Sequence, residues 1–204
     1  MKRWKKWEMA LLLGLCAALI WGAWAAQRQD ALAQKMIRLH VIANSDSDAD
    51  QALKLKVRDK VLDFTTNVLQ RSENMEDAQR QLQDALGRIE NIALREIVDQ
   101  GYEYSVTAQL TSAEFPLKEY DGFSLPAGEY TALRLVIGDG AGRNWWCVVY
   151  PPLCMTAASD VAQTGIACGM EQEDMSLMQE EDEGYQIKFR CVELWEQLRQ
   201  WLHK

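Results

Sequence analysis

This sequence predicts an α+β fold: a mainly antiparallel sheet with two helices packed on one face and a helix at the C-terminus, preceded by an N-terminal signal or anchor helix. Three observations predict it. Between residues 36 and 110 the hydrophobic period switches from two to 3.6 and back. Two further strand-like runs, Tyr130 to Ile137 and Trp145 to Tyr150, flank the seven-residue stretch GDGAGRN, which reads as a hairpin loop. A chain of 204 residues with 48% hydrophobic content and no obvious linker can bury one good core, so residues 34–204 read as a single extracytoplasmic domain behind a leader at 1–33.

The leader comes first. Lys2, Arg3, Lys5 and Lys6 precede an uncharged run from Met9 to Ala26, the layout of a secretory signal or an N-terminal anchor, with the basic end kept inside. Small residues allow cleavage after Ala25 or after Ala33, whereas Trp4, Trp7, Trp21 and Trp24 flank the run like an interfacial belt and favour retention. We read the segment as cleaved. On either reading the domain lies outside the cytoplasm, and its membrane contact is through this segment alone. Leu15 stands before Cys16 where a lipoprotein signal needs a small residue, so Cys16 reads as an apolar side chain of the run.

In the domain, Ile37, Leu39 and Val41 alternate with Arg38 and His40 as a buried strand. An acidic, hydroxyl-rich corner follows, Asn44-Ser45-Asp46-Ser47-Asp48, and then Leu53, Val57, Val61, Phe64 and Val68 recur at helical spacing. Ser47 with Asp50 resembles a capping box, which alone accounts for part of the corner. Asp46, Asp48 and Asp50 have the alternate spacing of a calcium loop, but Gln51 and Val57 stand where that loop needs Gly and Glu.

Asn74 caps the second expected helix, whose apolar face is Ala78, Leu82, Ala85, Ile89, Ile92 and Ile97 and whose other face carries mixed charge. Gly101 ends it, and Tyr102 to Leu110 alternates as a half-exposed strand. In the GDGAGRN loop Gly138, Gly140 and Gly142 are followed by Trp145-Trp146-Cys147-Val148-Val149, a strand and not the helix a phosphate cradle requires. If Trp145 and Trp146 lie in a strand they face opposite sides, one toward the core and one toward solvent. Past Pro151-Pro152 the chain reads as less regular and acidic, at about 156–184. Tyr185, Ile187 and Phe189 then form a last short strand, and Val192, Trp195, Leu198 and Leu202 the C-terminal amphipathic helix.

Charge and side-chain inventory narrow the chemistry. Residues 1–33 carry a net +3, so the formal charge of -8 leaves -11 on the remainder, a body that phosphate backbones repel; a nucleic-acid partner is not expected. Four cysteines in an exported domain suggest disulfides: Cys147 and Cys154 bracket a double proline that can fold the chain back, and Cys168 with Cys191 would tie down the tail. Only two histidines exist, and no Walker loop, HExxH or GxSxG appears, so no catalytic residue, metal ligand or cofactor is assigned. An exported hydrolase acting on cell wall would have to use His40 with Asp46 or Asp48. An N-terminally anchored scaffold is the plainer alternative.

Two long blocks add to this reading. IRLHVIANSDSDADQALKLKVRDKV, with LPAGEYTALRLVIGDGAGRNWWCVVYPPLC from Leu125 to Cys154, closely resembles the stage II sporulation protein R family, over about a quarter of the chain. The resemblance implies a non-enzymatic signalling protein made in the forespore and exported to the space between the forespore and mother-cell membranes. There it would trigger the membrane-embedded aspartic protease that processes pro-sigma-E. Exposed polarity and the matched blocks together nominate His40, Asn44, Ser45, Asp46, Asp48, Arg143, Asn144, Trp145 and Trp146 as the residues that contact that partner.

Overall fold

The computed structural model describes residues 2–155 and 160–179. The expected last strand and C-terminal helix, from Tyr185 to Leu202, lie outside them.

Among the described residues one helix, α1 (Lys2–Ala33), is long and apolar enough from Lys5 onward to cross a membrane by length and composition. It feeds β1 (Ile37–Ile42), and two long helices follow, α2 (Asp48–Leu69) and α3 (Met75–Asp99). Ser47 caps α2 by accepting from the Asp50 backbone, and Asn74 caps α3 by accepting from Asp77, so each helix begins at a residue able to take an orphan N–H. Both lie on one face of the sheet, where Leu53, Val57, Val61, Leu62, Leu82, Ile89 and Ile97 bury against Ile37, Leu39, Val41, Leu133 and Leu135. On α3 the face passes through Ala93; Ile92, expected there, is half-buried.

Four strands form the main sheet in the order β2-β5-β1-β6, where β2 is Val106–Phe115, β5 Gly128–Ile137 and β6 Asn144–Tyr150. β2 and β5 make an antiparallel hairpin from Val106 opposite Ile137 to Phe115 opposite Gly128. A small two-stranded ribbon at its tip, β3 (Lys118–Tyr120) and β4 (Phe123–Leu125), folds over the other face. The β2 strand begins four residues later than alternation suggests. Gly101 turns with φ +84° and the Tyr102 amide donates to Ile97 O, so Tyr102 and Tyr104 finish the exit from α3 and pack their rings 5.3 Å apart beside its core.

The expected hairpin between the runs 130–137 and 145–150 does not form. β1 sits between them, parallel to β5 and antiparallel to β6. IRLHVI is buried on both faces except for half-buried His40, and a strand with no solvent face is most stable in the middle of a sheet. Inserting it separates β5 from β6 by two strand spacings, roughly 9.5 Å. The seven residues between them are long because they pass over the end of β1.

The opposite face of the sheet is closed by pieces from across the chain. Leu32, Ala33 and Met36 from the end of α1 and beyond, Phe123 and Leu125 from the ribbon, and Met175 and Met178 from α5 (Gln172–Gln179) meet Phe115, Tyr130, Ala132 and Val148. The tail expected to be irregular holds two short helices, α4 (Val161–Ala167) and α5. Val161, Met175 and Met178 are buried despite acidic neighbours, while Ile166 stays exposed.

Candidate functional site

At the end of β1 the polar corner turns its side chains inward. Asn44 Nδ2 and Ser45 Oγ both donate to Asp50 Oδ2, at 2.9 and 2.6 Å, and Ser45 Oγ accepts from the Ser47 amide. Those bonds, the Ser45 hydroxyl foremost, hold the Asp50 carboxyl below the usual range although its burial opposes ionisation. Gln51 Nε2 completes the corner by donating to Ser45 O.

The loop 138–144 lies directly on this corner. Ala141 N donates to Asn44 O, Gly142 N to Ala43 O, Asp139 N to Asn44 Oδ1 and Arg143 N to Asp46 Oδ1. Buried Lys54 reaches up from α2 and donates to Arg143 O and to Gln51 Oε1. Glycine at 142 is required by contact: a Cβ there would stand 2.2 Å from Ser45 O and 2.6 Å from its carbonyl carbon. At Gly138, φ +57° and the proximity of Asn44 make the same demand. The two sequence blocks, far apart in the chain, thus form one interlocked surface.

Side by side on that surface lie most of the residues nominated from the sequence. Asp46, Asp48, Arg143, Asn144 and Trp145 are exposed, with Arg143 Nε 3.6 Å from Asp46. His40 Nε2 lies 2.9 Å from Asn144 Oδ1, a carbonyl oxygen that accepts, so the ring nitrogen donates. Burial lowers the His40 pKa from 6.5, against the raising effect of that bond. The His40 ring contacts Trp146 and Phe115 at 6.0 and 5.9 Å between centroids. Trp145 and Trp146 do face opposite sides: Trp146 packs half-buried beside the second core, and Trp145 stays 37% exposed under the Arg58 guanidinium, 4.2 Å away. Asn44 and Ser45 differ from the rest, since their side chains are spent inside the corner.

His40 bonds Asn144, while the Arg143 amide donates to Asp46. Ser45, the nearest hydroxyl, donates to Asp50. Among the described residues no group of three or more His, Cys, Asp or Glu side chains is placed to hold a metal ion.

Alternation of the sequence does not single out four contributors: Asp50 as the centre of the corner, Lys54 beneath the loop, Arg58 beside Trp145, and Arg38. Arg38 is fully buried, between the rings of Phe115 and Tyr130 at 4.1 and 4.8 Å, and donates to Tyr120 Oη at 2.7 Å. Its Nε and Nη1 have no partner among the described residues. Polar spacing in the corner could have disclosed Asp50; nothing local marks Arg38 as buried.

Cys147 and Cys154 are joined by a disulfide that folds the turn after Pro151-Pro152 back against β6. Cys168 is a free, half-buried thiol whose pKa burial raises, and Cys191, its expected partner, lies outside the described residues.

Fold and site together define an α+β architecture behind an apolar helix, with a polar and aromatic surface braced by hydrogen bonds between two distant segments. The chain belongs to the stage II sporulation protein R family, whose model matches residues 33–160. It is similar to stage II sporulation protein R of Bacillus subtilis (strain 168), at 41% identity over 118 residues, 58% of this chain and 53% of that protein. The match thus spans about half the length of the relative. The membership supports a role in sporulation. No solved structure matches.

Proposed function

We propose that this protein is an exported intercompartmental signal of sporulation. It activates by contact the membrane-embedded aspartic protease that cleaves pro-sigma-E in the mother cell, acting from the space between the forespore and mother-cell membranes. The observation that carries the reading is the interlock of corner and loop. It presents Asp46, Asp48, Arg143, Asn144 and Trp145 on a backbone fixed by five cross-connections, Ala141 to Asn44, Gly142 to Ala43, Asp139 to Asn44, Arg143 to Asp46 and Lys54 to Arg143. A preformed surface loses little conformational entropy on docking, and an exposed tryptophan paired with an arginine is the kind of group that dominates interface energetics. A partner of this type activates by binding one state of its target more tightly than the other.

Co-expression of the chain with the protease and pro-sigma-E in a non-sporulating host tests this. Precursor cleavage should appear only with an exportable form. Trp145→Ala and Arg143→Ala should each weaken it by about 2 kcal/mol of binding, roughly thirtyfold in half-maximal dose, with the melting temperature of the domain little changed. Cleavage that is absent, or insensitive to both substitutions, would overturn respectively the function and the surface.

A further inference from the structure

The two cleavage positions permitted by small residues, after Ala25 and after Ala33, have different consequences in the folded protein. Among the described residues most of α1 is exposed, Leu11, Leu12, Leu13, Ile20 and Trp21 included. Its last turn is the reverse. Leu32 and Ala33 are 1% and 6% exposed and lie in the same core as Met36, Tyr130, Leu125 and Met175. Charged groups fasten this end from outside: Arg28 Nη2 is 3.0 Å from Glu173, and Lys35 Nζ is 2.6 Å from buried Asp174 on the same helix, α5. The helix also runs unbroken from Lys2 to Ala33, so no flexible spacer separates the apolar run from the docked turn.

We infer that residues 27–33 are part of the mature domain, and that export processing, where the chain is cut, falls after Ala25 and not after Ala33. A peptidase acts on the chain before the domain folds, so burial does not itself protect the second position. What counts is the product. A domain beginning at Gln34 would lack Leu32 and Ala33, opening a hole against Tyr130 and Leu125, and Glu173 would lose Arg28. A domain beginning at Ala26 keeps all of these contacts. An uncut chain keeps them too, with the domain held directly against the membrane. The inference stands apart from the partner proposed above.

Expressing the full chain in a secreting bacterial host and sequencing the N-terminus of the extracytoplasmic protein is the direct test. Ala26, or Met1 in an uncut form, supports the inference; Gln34 overturns it. Two variants check it independently. Ala31→Lys places a large charge three residues before the second position, at a site exposed in the fold, and should leave processing unchanged; accumulation of precursor overturns the inference. Leu32→Ala should lower the melting temperature of the extracytoplasmic protein by about 5–10 °C, and an unchanged melting temperature overturns it.

Discussion

The two faces of β1 are built by different means. Toward α2 and α3 the strand presents Ile37, Leu39 and Val41, and aliphatic rows from two consecutive helices cover them. Toward the other side it presents Arg38 and His40, and these are closed over by the end of α1, a ribbon of two three-residue strands, and α5. One face is covered by two helices consecutive in sequence and is mainly aliphatic. The other is assembled from distant fragments around a cation that has no carboxylate partner among the described residues. Apolar packing tolerates any partner of suitable volume, whereas a buried guanidinium dictates which groups surround it, here Phe115, Tyr130 and the Tyr120 hydroxyl. The first face supplies stability, and the second supplies the particular arrangement that positions His40 and Trp146.

Leu39→Ala should have the largest effect on this contrast, about 2–5 kcal/mol in denaturant unfolding, since its side chain is fully buried between helices and sheet. Next comes Tyr120→Phe, about 1–3 kcal/mol, because it removes the hydroxyl that accepts from Arg38 Nη2 on a buried guanidinium whose Nε and Nη1 have no hydrogen-bond partner among the described residues. Arg38→Met should change stability by less than about 1 kcal/mol in either direction, as relief of desolvation offsets the lost ring contacts. In that background Tyr120→Phe should lose at least half of its cost. A large penalty for Arg38→Met, or additivity of the pair, would break the comparison by showing that the cation is a net stabiliser.

The smallest effect is with pH. His40 is held below its usual value by burial, so the unfolded chain takes up its proton first, and stability present above pH 6.5 is lost as pH falls below that value. His40→Gln should flatten that part of the profile. The unfolding free energy at pH 7.5 and 5.5, wild type against variant, measures it.

How far the sequence discloses the fold follows the same division. The period of 3.6 in α2 and α3 and the capping residues Ser47 and Asn74 are local signals, and they locate both helices to within a few residues. Strand pairing is not local. Gly and Asn residues between two strand-like runs imitate a hairpin, and only the double-sided burial of IRLHVI, read against the rest of the sheet, places β1 between them. Of the site, the exposed residues Asp46, Asp48, Arg143, Asn144 and Trp145 are legible as polarity and aromatic exposure near turns. The inward use of Asn44 and Ser45 on Asp50, and the need for Gly142, arise from the crossing of two distant segments and leave no periodic trace. Arg38 looks like any charged residue on the outer face of a strand until Phe115 and Tyr130 close around it.

The placement of β1 also governs when this molecule can acquire its shape. Ile37 is bonded through the sheet to Tyr150 on one flank and to Thr131 on the other. A chain passing through a translocation channel with its amino end leading must therefore bring out β5 before the central strand has its first neighbour and β6 before it has both. Until then the two helices have no sheet to rest on. In such a passage the sheet would assemble late, which would keep the polypeptide thread-like while in transit.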